Sequence, residues 1–280
     1  TIYDKLHGVR KYSHAKFLNE VLGISIEMGS SPISPAQIRA ASTLSISPTK
    51  PFQHRDYSVF GGGVDWGGAE ITSFTVGSIV GLHQSGIFHC VNAIRPTGIP
   101  ENERHLPIAK FFLDNCPQSQ LFAVLADGAF VGGVQNRNLS QVSGLQVGSV
   151  FYGTMKKLFI PGNGNAFTVD RTTLLYVVYT LIKNGQLLFP SHELFQSFTD
   201  DLRSNFVEEV NTQRGTIQRY QRYVTLPDDF LHSLGYALLS CAIGAGIDLS
   251  DMVGLGAGSS VTKDYIDAIG AEMPIHSGVT

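Results

Sequence analysis

Cysteine is scarce in this chain of 280 residues: Cys90, Cys116 and Cys241 are odd in number, widely spaced, and form no CxxC pair. That disfavours a disulfide framework and a zinc ribbon, and fits a reducing compartment. Long apolar runs are lacking too. None reaches the ~20 residues that span a bilayer, and the longest, LHSLGYALLSCAIGAG, is broken by His232, Ser233, Ser240 and glycines. No membrane partner is expected. No secretory signal opens the chain, which begins with Thr1. Positive charge is not in excess, since 20 Lys and Arg against 23 Asp and Glu give a net charge of −3. This argues against gripping nucleic acid by bulk charge and leaves room for a local basic surface. There is no internal repeat. What is present is the 43% hydrophobic and 15% charged content of a globular chain, enough for one large domain or two small ones.

The pattern divides the chain into three parts. Residues 1–55 hold a helical stretch at 14–22 (HAKFLNEVL), then a Ser-, Pro- and Thr-rich connector expected to lie over the surface. The main domain is expected over 56–243. It begins with strand-like runs at 57–65, 71–82 and 86–94, punctuated by turn residues, which read as an antiparallel meander. Helical spacing follows at 101–115, a buried strand at 120–126, and after a polar stretch another strand at 147–153. A strong helix is expected over 170–184 with Asp170 as its N-cap. Then come a short strand at 186–190, an amphipathic helix at 192–210, a strand at 216–225 and a last helix at 226–243. Residues 244–280 read as a Gly- and Ser-rich tail. GLGAGSS within it follows no strand, so it is read as tail and not as a phosphate loop.

Three acidic spots stand out against this frame. Asp65 closes the run FGGGVD, Asp127 closes LFAVLAD, and Asp228-Asp229 opens the last helix in LPDDFLHSLGYALL. A lone Asp after a strand is more often a turn or cap residue, and Asp-Asp before a helix is usually an N-cap. Three such sites in one topological order, each with small neighbours, are a different matter. Carboxylates from two strand ends and a helix start can converge on divalent cations, and oxygen-only ligands favour Mg²⁺ or Mn²⁺ over zinc. Two cations ~4 Å apart serve phosphodiester hydrolysis. Glycines 61–63 and 67–68 read as backbone left clear for a phosphate. On the last helix Phe230, Leu234, Ala237, Leu238 and Cys241 form a core stripe, while Asp229, His232 and Tyr236 share another face. His232 is an auxiliary candidate or a packing histidine; Glu70 is a weaker auxiliary candidate or a solvated acid. Meander, helix, strand, helix, strand, helix is the order of a ribonuclease H-like α/β fold, a mixed central sheet with helices on both faces.

These motifs carry a resemblance. FGGGVDWGG, LADGAFVGG and LPDDFLHSLGYALL, with DRTTLLYVVYTLIKNGQLLFP between them and HAKFLNEVLGI upstream, resemble the C-terminal nuclease domain of the large terminase subunit of tailed bacteriophages. The resemblance covers roughly residues 10–243, and only the three acidic motifs together are specific. It implies a two-metal endodeoxyribonuclease that cuts concatemeric viral DNA during genome packaging in the host cytoplasm. Asp65, Asp127 and Asp229 would be metal ligands, and Asp228 a fourth ligand or an acid behind them. Double-stranded DNA, the terminase small subunit, the portal and a packaging ATPase domain would be partners. No GxxxxGK[ST] occurs, so that ATPase is expected outside this chain, which then reads as an isolated domain.

Candidate DNA contacts are Arg137, Lys156 and Lys157, with Arg214, Arg219 and Arg222 in TQRGTIQRYQRY, a stretch that could equally be a solvated edge strand. No recognition helix or zinc finger is present, so little sequence preference is expected. Three rival readings differ in what they require. The actin and sugar-kinase superfamily would need two such halves, and the chain has room for one. A resolvase or transposase core shares the metals without the terminal Asp-Asp helix. A non-catalytic DNA- or portal-binding module would have no need of all three acids.

Overall fold

A computed structural model describes residues 31–46, 52–68, 73–155, 157–212, 215–223 and 225–254. The helix expected at 14–22 and the tail beyond 254 lie outside the described residues. At the centre is an eight-stranded mixed sheet. In chain order its strands are β1 (Tyr57–Asp65), β2 (Val76–His83), β3 (Phe88–Ile94), β4 (Leu121–Asp127), β5 (Val147–Gly153), β6 (Phe159–Pro161), β7 (Ala166–Asp170) and β8 (Leu187–Leu188). In space the order is β6-β7-β5-β4-β1-β2-β3-β8. The meander is present as expected: β1 pairs antiparallel with β2, and β2 with β3. β4 then lies parallel to β1 on its other side, and β5 parallel to β4.

Helices cover both faces: α1 (Pro35–Ala41), α2 (His105–Asn115), α3 (Gly132–Ser143), α4 (Arg171–Lys183), α5 (His192–Thr199), α6 (Asp229–Ala245) and α7 (Leu249–Met252). Alternation along the strands sorts the core into two layers. In β4, Leu125 faces the layer built on α4 and α6, while Val124 and Ala126 face the one built on α2 and α3. Asp170 caps α4 as expected, its carboxylate accepting from the Thr173 amide at 2.8 Å. The three thiols are free and buried. Among the described residues no helix is long and apolar enough to cross a membrane.

α6 is buried on every side from Asp229 to Ile243, so it is the central helix of the domain and not an amphipathic one. Leu231, Leu234, Leu238 and Leu239 are almost inaccessible, each contributing about 1.5–3 kcal/mol relative to exposure. The helix lies directly on β1. A Cβ at Gly61 would sit 2.2 Å from the Cys241 amide nitrogen, and one at Gly63 2.0 Å from the Ser233 carbonyl oxygen. A Cβ at Gly62 would meet the Phe112 ring at 2.7 Å on the opposite face. The glycine run therefore admits helices against both faces of β1, which corrects the expectation that it keeps a path open for phosphate.

Several elements differ from the sequence expectation. α3 falls in the polar stretch after Asp127. Its sequence GGVQNRNLSQVS offers Leu139 as its large buried apolar residue, and buried Gln135 and Asn136 replace the missing stripe by hydrogen bonding. The helix expected over 192–210 stops at Thr199. A 3-10 turn, Asp200–Arg203, follows, and the chain then enters a two-stranded ribbon of β9 (Asn205–Thr212) and β10 (Gly215–Arg222). Pairing with β10 overrides the local helical spacing. β6 and β7, a short edge hairpin, were not anticipated. Part of the connector is no surface strap: Ile33, Ile38 and Ala41 are core residues. At the other end α6 runs on to Ala245, and Leu249 packs into the same core.

Candidate active site

The sheet topology brings the first two acids together. β1 and β4 are parallel neighbours in register, Val64 opposite Ala126, so Asp65 and Asp127 follow at the same end of adjacent strands. Asn136 ties these ends together. Its side chain accepts from Trp66 Nε1 at 2.6 Å and donates to the Asp127 carbonyl at 3.0 Å and Ser149 Oγ at 2.9 Å. Past Asp127 the chain turns at once: the Gly128 amide donates to Val150, and the Ala129 amide donates to Asp127 Oδ1 at 3.2 Å. A Cβ at Gly132 would lie 2.2 Å from the Asp127 carbonyl, so only glycine lets α3 begin this close.

The first turn of α6 supplies the third element, and its two adjacent carboxylates have different surroundings. Asp229 Oδ1 accepts from Ser73 Oγ at 3.2 Å, and its Oδ2 is buried without a hydrogen-bond partner among the described residues. Asp228 is fully engaged: Arg222 Nη1 at 3.2 Å, Arg171 Nη2 at 3.5 Å and His232 Nε2 at 3.0 Å. With Nε2–H donating to that carboxylate, His232 Nδ1 accepts from Tyr152 OH at 2.6 Å. The Tyr152 ring lies beside that of Tyr236, with centroids 5.9 Å apart. Asp201, buried in the 3-10 turn, accepts from the Phe230 amide at 3.1 Å and pairs with Arg95 at 2.6 Å. It holds the start of α6 in place.

The electrostatics separate the acids into two kinds. Burial, then the charges of Asp229, Asp127 and Asp228, raise the Asp65 carboxyl well above its ordinary range, opposed by Arg171. Burial raises Asp127 as well, against the Ala129 amide and His232. Asp229 is raised by burial and by Asp228, against the Phe74 amide and the Ser73 hydroxyl. Burial would raise Asp228 too, but His232, Arg222 and Arg171 outweigh it and hold that carboxyl below its usual value. Asp65, Asp127 and Asp229 thus lack a counter-charge strong enough to offset burial and resist ionisation, whereas Asp228 is held ionised by its neighbours.

Of the other residues singled out in the sequence, His232 is buried in the chain of contacts just described. Arg137 on α3, Lys157 and Arg219 on β10 are exposed. Arg222 is turned onto Asp228, and Arg219 lies across the ribbon from Glu208. Glu70, Lys156 and Arg214 lie outside the described residues. Sequence reasoning missed Asp201, Arg171, Tyr152, Ser73 and Asn136. Arg171 is flagged only by following an N-cap, and Asp201 reads as a solvated helix acid, so pattern gave no warning of either.

A hard cation is the natural counter-charge for such a set, and the unpartnered Asp229 Oδ2 fits one. As they stand, no three His, Cys, Asp or Glu side chains among the described residues are positioned to hold a metal ion. What the structure shows is a buried Asp65 close enough to the other carboxylates for their charges to raise it.

The antiparallel meander β1–β3 continued by parallel β4 and β5, with carboxylates at the ends of β1 and β4, is a ribonuclease H-like architecture. Among solved structures, the human cytomegalovirus terminase nuclease domain is similar with a TM-score of 0.50 at 12% identity, over 75% of this chain and 95% of that one. The HK97 bacteriophage large terminase aligns at 12% identity and a TM-score of 0.49, over 75% of this chain and 43% of its own. The large terminase nuclease of thermophilic phage G20c, solved with bound magnesium, aligns at 17% identity and 0.44, over 67% and 84%. At 12% identity the likeness to the cytomegalovirus domain shows the fold alone. Neither a protein-family model nor a curated protein matches the chain.

Proposed function

We propose that this chain is a metal-dependent DNA endonuclease of the terminase large-subunit kind, cutting concatemeric viral DNA during genome packaging. The observation that carries the reading is the uncompensated trio Asp65, Asp127 and Asp229, with a buried carboxylate oxygen of Asp229 left unpartnered. These three residues would hold two Mg²⁺ or Mn²⁺ ions. When bound, such ions supply an activated water and stabilise the departing oxygen of the phosphodiester.

The chain's own contribution is positioning. Asn136 and Trp66 fix the strand ends, Asp201 and Arg95 fix the start of α6, and Ser73 orients Asp229. Asp228 serves less as a ligand than as the anchor of Arg171, Arg222 and His232. Exposed Arg137, Lys157 and Arg219 are the candidate phosphate contacts, and each lost contact should lower the salt slope of binding by about one unit. Such contacts carry no direct sequence information, so cleavage with little sequence preference is expected. Double-stranded DNA is the substrate, with the small subunit, the portal and an ATPase domain as partners in the host cytoplasm.

Two measurements test this together. Plasmid nicking should occur with Mg²⁺ or Mn²⁺, stop in excess EDTA, and vanish in Asp65→Asn, Asp127→Asn and Asp229→Asn. Independently of activity, Mn²⁺ should raise the melting temperature of the wild type, by ~2.7 kcal/mol of stability at a hundred times its Kd. The gain should be lost in Asp229→Asn. Nicking that survives chelation, or an Mn²⁺ response unchanged in all three variants, would remove the metal mechanism.

A further inference from the structure

Three residues past Asp127 stands a phenylalanine that no described residue covers. Phe130 is 102% accessible, and among the described residues it is the one non-glycine with positive φ, at 48°. Neither property follows from folding. A phenyl group gains nothing from full hydration, and the left-handed region favours Gly or Asn over an aromatic residue. The conformation is nevertheless fixed from both sides. The Ala129 amide is held by Asp127 Oδ1 at 3.2 Å, and the Gly132 amide donates to the Ala129 carbonyl at 2.8 Å, closing a turn whose outer tip is Phe130. Beside it Val131 is 39% exposed, and Phe151, whose ring lies against Gly128, is 42% exposed. Backbone strain at a residue next to candidate chemistry points to a role outside folding.

We propose that Phe130 is a DNA-distorting wedge, its ring entering a base step beside the phosphate to be cut. This deepens the nuclease reading and rests on it. Consecutive Cα atoms are ~3.8 Å apart, so Phe130 lies at most ~11 Å from Asp127 along the chain. At a rise of ~3.4 Å per base pair, that bound corresponds to about three base pairs between Asp127 and the tip of the turn. Apolar side chains inserted at this range unstack and bend a duplex, which here would expose the phosphate to carboxylates recessed at the strand ends. A protein partner seated on Phe130 would cover the turn that carries Asp127, and so would close the site.

The test compares wild type, Phe130→Ala and Phe130→Trp in Mg²⁺ on two substrates, a fully paired duplex and the same duplex carrying a mismatched bulge, with cutting on the bulged substrate scored at the bulge. Stacking of one base on an aromatic ring corresponds to a roughly ten- to hundredfold effect. Phe130→Ala should lose about that factor on the paired duplex and almost nothing on the bulge, and Phe130→Trp should retain activity on both. In parallel, 2-aminopurines spaced along a short paired duplex should brighten when Asp65→Asn binds and stay dark with Asp65→Asn/Phe130→Ala. Because the side chain is wholly exposed, all variants should fold. Wild-type cutting of the paired duplex by Phe130→Ala would overturn the wedge and favour a protein-facing role; equal losses on both substrates would overturn it as well. If the wild type cuts neither substrate, the nuclease reading fails, and the 2-aminopurine signal still decides the wedge.

Discussion

Gly63→Ala adds one methyl group at the point where β1 and α6 touch. The new carbon would lie 2.0 Å from the Ser233 carbonyl oxygen and 2.4 Å from the Ala237 amide nitrogen. Both are backbone atoms of a buried helix, so no rotamer change relieves the clash, and helix and strand must separate by more than 1 Å. Overpacking of this kind costs about 1–3 kcal/mol and sometimes more, out of a total stability of about 5–15 kcal/mol. For a domain of this size each kcal/mol is worth roughly 2–4 °C, so the melting temperature should fall by about 6–12 °C at the upper figure. Activity should fall further than stability. Ser233 is one helical turn beyond Asp229, and a displacement of ~1 Å at a reacting group can cost a hundredfold in rate. Gly68→Ala is the control, since among the described residues a Cβ there meets only Ser73 Oγ at 3.8 Å. Thermal unfolding followed by circular dichroism, with plasmid nicking below the transition, reads both effects. If Gly63→Ala melts with Gly68→Ala, α6 does not rest on β1 through glycine, and the reasoning fails.

Asp201 sets a pH dependence: burial, opposed by Arg95, raises its carboxyl to about 7. The folded state therefore keeps a proton that the unfolded state has released, and stability should fall as pH rises from about 4 to 7, by up to ~1.4 kcal/mol per unit. Urea titrations across that window should show the slope flattened in Asp201→Asn. Neutralising an acid of the trio and neutralising Asp228 should have opposite effects on stability in EDTA. Asp229→Asn removes a carboxylate whose folded pKa is raised and should leave melting unchanged or higher. Asp228→Asn strands Arg171, Arg222 and His232 and should cost up to ~3 kcal/mol, less than a fully buried pair because the guanidinium groups keep some water. Because the Asp228 carboxyl is held low, its contribution is present above the unfolded pKa and is lost on acidification, so the two proteins should converge at low pH. Trp66→Phe leaves the buried Asn136 Oδ1 short of a donor; a loss of about 1–3 kcal/mol is expected, with nicking reduced more than DNA binding.

Elements with strong periodicity and local caps are legible from the amino-acid order. The strand ending at Asp65, the strand ending at Asp127 and the capped helix after Asp170 fall where alternation and capping put them. Their order was enough to give a ribonuclease H-like sheet and to bring three acids to one end of it. Tertiary structure alone decided what is non-local. α3 has no apolar stripe because Gln135 and Asn136 find partners on His105, Asp127 and Ser149, far along the chain. The helix expected through 210 gives way to β9 because β10 offers a ladder that local spacing cannot foresee. The glycines of β1 look like clearance for a ligand until α6 and α2 are seen against them. Asp228 and Asp229, neighbours of one residue type, cannot be told apart in one dimension. Two arginines from distant elements neutralise one of them, and one oxygen of the other is left bare in the protein interior. A carboxylate's role depends on the field around it, and that field is assembled only when the chain folds.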